Sequence, residues 1–460
     1  MSDPVIWDAG LIRRYDKAGS RYTAYPSPNQ YAEGVCATDL VSALQGSRTA
    51  GRPLALYVHI PFCANVCYCC ACTKVITKDR SRAQAYLRAL EREIQLVSQQ
   101  LGPTQRVERL HIGGGTPTFL GHDDLRRLMT RLRESFQLQL DDSAAHMIEV
   151  DPREADWPTL GLLRELGFNQ VSIGVQDFDP EVQRAINRLQ SLDQTQTVMD
   201  AARTLAFRSV NIDLIHGLPR QTQASFARTL DSVITMHPDR VTLYPYVHLP
   251  DLFLPQRRIS LAELPDPDTA LEIRLDSYDR LLRAGYRHIG MGQFALPDDD
   301  LSNAQEIGQL GRSLQGYVTG ADSDLIGLGV AAISQVGDFH CRNTGDLQLY
   351  QDSLEQHRLP LRRGIRCTAD DRLRRVIINN LMCHYRLRFA EIEQRFGIDL
   401  GIYFADCLAM LRQLHRDGVI HLDATGIEIL PAGRPLVASV CAVFDAYQHV
   451  PGRVGAVQLN

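Results

Sequence analysis

The sequence is short of several things, and each shortage excludes something. In 460 residues no apolar run approaches the about eighteen residues that a membrane span needs. Charge of one sign is missing too: 49 basic and 54 acidic residues are interspersed and leave a net charge of −5. That excludes a general binder of nucleic acid or of membrane surfaces, and no membrane insertion is expected. Repeats and low-complexity segments are lacking, and the composition rules out collagen-like, disordered and coiled-coil classes. The opening MSDPVIWDAGLIRRYDKAGS has no charged segment followed by an apolar core, so a chain that stays in a reducing cytoplasm is expected. Lysine is scarce: only Lys17, Lys74 and Lys78 stand among the 49 basic residues, which reads as base-composition bias in the coding DNA. No Ser-His-Asp or Cys-His arrangement stands out, and neither does a flavin or nicotinamide fingerprint.

What the chain does have is cysteine in one place. Five of its eleven cysteines, Cys63, Cys67, Cys69, Cys70 and Cys72, fall within ten residues, and the others are scattered singly. An odd total in a retained chain argues against a disulfide framework and for metal or redox chemistry. The cluster follows the β-rich run LALYVHI (54–60) directly, in a loop at a strand's C-terminal end, where α/β folds place their chemistry. A zinc site of paired Cys would need a second pair downstream, and none exists. Three thiolates at this spacing suit a [4Fe–4S] cube with one iron left open. At this point zinc and a plain cysteine-rich turn stay possible.

Around the cluster, β-rich runs alternate with amphipathic ones from about residue 54 to 295. Strands are predicted at 54–60, 107–113, 145–150, 169–175, 209–215 and 240–247, and most are near-continuously apolar, as in strands covered on both faces. Helices are predicted over 83–101, 125–136, 157–168 and 226–237. This is α/β, repeated βαβ units on a parallel sheet, with open sheet and barrel both permitted. The expected division is an N-terminal arm (1–50), the α/β body with its extension (51–365) and a helical domain (366–460). Residues 296–365 read as mixed, with GADSDLIGLGVAAIS offering Gly and Asp turns. The last segment ends in a hairpin-like VIHLDATGIEILPAG and looks like a winged helix. It carries no basic stripe, so packing or a lid fits it better than nucleic acid.

Cys63-x3-Cys67-x2-Cys70 resembles the radical S-adenosylmethionine (SAM) enzymes. YVHIPFC with the further Cys72, together with RYTAYP (21–26), HIGGGTPT (111–118), IEVDPRE (148–154), GVQDF (174–178), NIDLIHGLP (211–219) and LQGYVTG (314–320), is similar to the oxygen-independent coproporphyrinogen III oxidase family. The resemblance implies a partial (β/α)6 barrel with an N-terminal arm and a mainly helical C-terminal domain. It implies a [4Fe–4S] cluster on Cys63, Cys67 and Cys70, with SAM on the open iron. Tyr57, Gly114, Gly115, Thr116, Glu149, Gln176, Arg188 and Asp213 match positions that contact that SAM. Leu314, Gln315 and Ile333 match positions beside a second SAM, and the RYTAYP arm would close over the site. Tyr57, His59 and Cys72 are the candidates closest to the chemistry, Cys72 being the mark that separates oxidase from haem chaperone.

The implied reaction starts from one-electron cleavage of SAM to a 5′-deoxyadenosyl radical. Hydrogen abstraction and decarboxylation of two propionates of coproporphyrinogen III then give protoporphyrinogen IX. A tetrapyrrole substrate, an external one-electron donor such as a flavodoxin and a monomeric chain are expected. Two departures from the family pattern stand out. Cys69 stands where an aromatic residue usually packs by the adenine, and Gly292-Gln293 in GMGQFA replaces an acid and an imidazole. They keep two alternatives open: a radical SAM paralogue such as a methyltransferase on another substrate, and a non-catalytic haem chaperone.

Overall fold

The computed structural model describes residues 5–16, 24–102, 105–139, 141–320 and 323–448. By their internal contacts the residues fall into two compact units, one of 32–284 and 322–365 and one of 1–31, 285–321 and 366–460.

The larger unit is built on parallel strands β1 (Leu54–Ile60), β2 (Arg106–Gly114), β3 (Ala145–Val150), β4 (Gln170–Gln176), β5 (Ser209–His216) and β6 (Arg240–Pro245). They lie side by side in chain order, and helices Ser81–Leu101, His122–Ser135, Trp157–Glu165, Leu192–Thr204 and Gln223–Met236 connect them. All six predicted strands and four predicted helices are present. A seventh parallel strand, β7 (Asp324–Leu328), pairs with the outer side of β1. The sequence reading takes that segment for turns, because glycines punctuate it. Gly327 is there for close approach: a Cβ would sit 2.4 Å from the carbonyl oxygen of Ile333 on the next strand. Antiparallel strands Ile333–Val336 and Phe339–Asn343 carry the sheet on from β7.

The expectation of strands apolar on both faces needs correction. Side chains alternate along a strand. Leu56, Val58, Ile60, Leu110, Ile112, Ile148, Val150, Val171, Ile173, Val210, Ile212, Leu214, Val241 and Leu243 form one fully buried apolar set. The residues between them are Tyr57, His59, His111, Glu149, Ser172, Asn211, Asp213 and Thr242. Register aligns Tyr57 with His111, Glu149 with Ser172, Ser172 with Asn211 and Asp213 with Thr242. The seven-stranded partial barrel therefore has a helix-covered apolar outside and a polar inside, which the density of Val, Ile and Leu in the sequence masks.

The smaller unit gathers three separated pieces of chain. Its helices Ala369–His384, Phe389–Phe396 and Ala405–Arg416 accompany a three-stranded antiparallel ribbon of Arg386–Arg388, Gly426–Ile429 and Ile420–Leu422. A hairpin of Leu310–Ser313 and Gly316–Thr319 belongs to the same unit. No helix among the described residues is long and apolar enough to cross a membrane.

Candidate active site

The polar inner face leads to the strands' C-terminal ends, where the cysteine loop lies. At its base Tyr57 donates its hydroxyl to His59 Nδ1 at 3.0 Å, and His59 Nε2–H donates to the Thr73 carbonyl at 2.9 Å. Both ring nitrogens are thereby used, and burial pushes the His59 pKa down and the Tyr57 pKa up. His59 is a neutral imidazole of fixed tautomer, and Tyr57 a neutral phenol. The Tyr57 ring meets the His111 ring edge-on at 5.4 Å.

The HIGGGTPT segment is laced to the strand beside it. Gly115 N–H donates to Ile60 O and Thr116 N–H to Phe62 O, each at 2.8 Å, and Gly114 N–H donates to Glu149 Oε2 at 3.0 Å. The fold thus already uses all three of these N–H groups. The glycines serve close approach instead. A Cβ on Gly113 would lie 2.4 Å from Glu149 Oε1, and one on Gly114 2.4 Å from the His59 ring. One on Gly115 would lie 2.7 Å from the Phe62 carbonyl oxygen.

The carboxylates on the inner face differ in their partners. Glu149 accepts from His111 Nε2 at 2.9 Å as well as from Gly114. Burial raises its pKa, but those two donors outweigh it and the net direction is down. Asp213 accepts from Ser172 Oγ at 2.7 Å and Asn211 Nδ2 at 2.8 Å. Burial, with Glu149 nearby, pushes it up to about 6. Gln176 sits at a bulge of β4 against β5 with φ +70°, a left-handed conformation that is strained in a non-glycine residue.

The cysteine loop has a cationic flank. Arg153 Nη2 and Arg188 Nη1 donate to Cys67 Sγ at 3.7 and 3.6 Å. Both guanidiniums also bind the buried Asp151, at 2.7 and 3.0 Å. Against the burial that would raise it, Arg188 and Arg153 hold Asp151 down to about 2. Arg188 further donates to the Gly174 carbonyl at 2.5 Å, so it is a buried structural cation and not one more solvated arginine. Cys63 Sγ accepts from Thr116 Oγ1 at 3.6 Å, and Cys70 Sγ from the Cys72 N–H at 3.5 Å. Lys74 donates to the Cys70 carbonyl at 2.9 Å, while Lys78 is exposed. Cys69 turns away from its neighbours' polar surroundings and packs in an apolar cluster with Val182, Ile186 and Leu218. Burial pushes its thiol pKa up.

Among the described residues no three His, Cys, Asp or Glu side chains converge on a point that would take one metal ion. A cube asks for something else, since each of three thiolates takes a different iron. A hydroxyl donor on Cys63, N–H donors on Cys67 and Cys70, and a glycine wall without Cβ atoms fit that demand and a small ligand beside it.

In the smaller unit Leu314 and Gln315 form the turn of the hairpin. Gln315 Nε2 is buried without a hydrogen-bond partner among the described residues, a donor left for a ligand. Gln293, one of the two departures, accepts from Tyr317 N–H at 3.2 Å and so braces this hairpin. Ile333 belongs to the larger unit. Of RYTAYP, Arg21, Tyr22 and Thr23 lie outside the described residues. Tyr25 donates to Asp371 at 3.1 Å, as Tyr447 does at 3.0 Å. The sequence reading named neither His111, Asp151 and Arg153 nor the Ser172–Asn211 pair. Their signal is polar residues at alternate positions of otherwise apolar strands.

The Radical SAM superfamily model matches residues 57–233, and the HemN C-terminal domain model matches 367–436. An oxygen-independent coproporphyrinogen III oxidase of Pseudomonas aeruginosa is 56% identical over 97% of this chain and 97% of its own. One of Salmonella typhimurium is 44% identical over 99% and 98%. Among solved structures, the Escherichia coli coproporphyrinogen III oxidase HemN, described as a radical SAM enzyme, superposes with a TM-score of 0.92. It is 43% identical and covers 97% of this chain and 100% of its own. With relatives this similar over nearly its whole length, and with a partial barrel whose polar inner face ends at three spaced cysteines, the chain belongs to the oxygen-independent coproporphyrinogen III oxidase family of radical SAM enzymes.

Proposed function

We propose that the chain converts two propionate side chains of coproporphyrinogen III to vinyl groups without oxygen, giving protoporphyrinogen IX for haem biosynthesis. Identity of 56% along 97% of the chain with the Pseudomonas aeruginosa relative carries the reading. The cysteine loop on a polar barrel mouth supports it. A [4Fe–4S] cluster with SAM, when bound, supplies the one-electron chemistry that starts hydrogen abstraction from the propionate β-carbon. Each propionate then loses CO2 and one further electron.

The chain's own residues bind, orient and exclude water. Cys63, Cys67 and Cys70 hold three irons. Gly114, Gly115 and Thr116 offer a wall close enough for the methionyl end of SAM. Glu149, Gln176 and Asp213 present acceptors, and in Gln176 also a donor, to its polar groups. Tyr57 lines the same pocket, while His59 positions Tyr57 through Nδ1. Arg188 acts from the cluster side. Cys72 directs its N–H to Cys70 and stands next to the reacting centre. Cys69 replaces an adenine-facing ring with an apolar thiol. Gln315 Nε2, with Leu314, is assigned to a second SAM. The substrate is a free tetrapyrrole, the electrons come from an external one-electron carrier such as a flavodoxin, and the chain works as a monomer in the cytoplasm. All eleven cysteines are free thiols, which suits a reducing compartment.

The test is anaerobic turnover with SAM, a reductant and coproporphyrinogen III, read by mass spectrometry. Two successive losses of CO2 with two hydrogens are expected, and Cys67→Ala should abolish both. Release of 5′-deoxyadenosine with an unchanged porphyrinogen mass would overturn the substrate assignment.

A further inference from the structure

Asp151 and Arg153 bind no atom of the substrate in the reading above, yet they form the most tightly closed ionic group next to the cysteine loop. Asp151 follows β3 directly and caps the short 3-10 turn Pro152–Glu154, its Oδ1 accepting Arg153 N–H at 3.0 Å. The same carboxylate takes Arg153 Nε at 3.0 Å and Nη2 at 2.7 Å. With Nε and one Nη2 hydrogen in this closed fork, the second Nη2 hydrogen points at Cys67 Sγ. Arg188 reaches the same sulfur from the loop after helix Pro180–Ala185. That loop is itself stapled to the cysteine segment through Tyr68 N–H to Ile186 O at 2.8 Å and Asn187 Nδ2 to Val66 O at 2.7 Å. One carboxylate between two guanidiniums leaves one net positive charge, nearly sealed from water: the Arg153, Arg188 and Asp151 side chains are 15%, 9% and 8% exposed.

A cluster gains one negative charge on reduction, and its potential responds to nearby charge, hydrogen bonds to sulfur and solvent access. We propose that Arg153, oriented by Asp151, is a positioning residue that sets the reduction potential of the cluster through its N–H···S contact and buried charge at Cys67. At Cys67 two guanidiniums donate to the sulfur itself, whereas the Cys63 sulfur has a neutral hydroxyl donor and the Cys70 sulfur a backbone N–H with the Lys74 ammonium close by. The inference rests on the assignment of Cys67 as an iron ligand.

The experiment is a mediated redox titration of the reconstituted full-length chain, followed by EPR of the reduced cluster, with iron and sulfide measured on every sample. Arg153→Gln should make reduction harder by about tenfold in the equilibrium constant, about 59 mV for one electron. Asp151→Asn removes the balancing anion and should move the potential the other way, which a merely structural role would not do. Arg153→Lys keeps the charge without the fork and should fall between. A full complement of iron with an unmoved potential in Arg153→Gln would overturn the proposal. So would failure of both Arg153 variants to load while Asp151→Asn keeps the parent potential, because the group would then be structural. Absence of iron and sulfide from the unsubstituted chain would instead overturn the cluster assignment itself.

Discussion

Asp151 and Asp213 are the same side chain at two points of one barrel mouth, and their surroundings drive them apart. Asp151, at the end of β3, is clasped by two buried guanidiniums and held to about 2. Asp213, on β5, has only neutral donors, Ser172 and Asn211, and burial with Glu149 nearby raises it to about 6. One is a permanent anion that fixes cations against the cysteine loop. The other is a carboxyl that can hold or release a proton near neutral pH, on the polar inner face of the barrel. The difference lies chiefly in the charge of the partners: guanidiniums around Asp151, neutral donors around the half-buried Asp213.

The largest effect should come from breaking the permanent anion. Asp151→Ala leaves two guanidiniums facing each other beside Cys67 with no counter-charge, a loss of about 3–5 kcal/mol for a buried pair stripped of one partner. Denaturant unfolding of the ligand-free chain measures it. A loss below about 1 kcal/mol, as for an exposed ion pair, would mean that water reaches the clasp and that the contrast with Asp213 is not one of buried charge.

Neither member of the comparison could be read fully from sequence, for separate reasons. The scaffold was legible because each strand carries an apolar set that must be covered by helices, and such runs show at any register. The crowding of Cys63, Cys67 and Cys70 was legible because residues on one short loop are local. The Asp151–Arg153–Arg188 group is not local: Arg188 comes from 37 residues beyond Asp151. In a chain with 49 basic residues, nearly all arginine, a buried arginine looks like its neighbours. β7 stayed hidden because its glycines, needed for close strand crossing, look like turn signals. Nothing local distinguishes Cys69 from the cysteines beside it, and only the tertiary fold packs it against Val182, Ile186 and Leu218.

Asp213 gives the next largest effect, with the opposite sign. Its folded pKa, about 6, lies above the about 3.9 of an unfolded Asp. A raised folded value means that the contribution to stability is complete below about pH 4 and is lost as pH rises through about 6. The shift corresponds to about 3 kcal/mol, reduced to about 2 by solvent screening at a half-buried position. Asp213→Asn should therefore stabilise the ligand-free chain by about 2 kcal/mol near neutral pH and flatten its stability between about pH 4 and 6. The same variant should weaken SAM binding. Asp151 predicts the mirror image: its stabilisation is present above about pH 4 and fades as pH falls toward about 2. Thermal unfolding across pH separates the two, and an Asp213→Asn chain with the parent's pH profile would remove the proposed contrast.

Glu149 tests the comparison from between the two. It lies two residues before Asp151 on β3, yet its net shift is downward through His111 and the Gly114 N–H. Its contribution is thus present above about pH 4.3, the unfolded value, and is lost as pH falls through its folded pKa. Glu149→Gln keeps the shape and an acceptor for Gly114, so the direct loss near neutral pH should be small, about 1 kcal/mol for a charge-assisted hydrogen bond made neutral. The informative change is elsewhere. Burial comes first in raising Asp213, but the negative charge of Glu149 adds to it. Removing that charge should lower the Asp213 transition, so that its pH-dependent loss of stability ends at a lower pH and is smaller. In the double variant with Asp213→Asn that displacement should vanish, because no titrating partner remains. If the Asp213 transition stays in place when Glu149 is neutral, burial alone sets it, and the two carboxylates on the inner face are electrostatically independent.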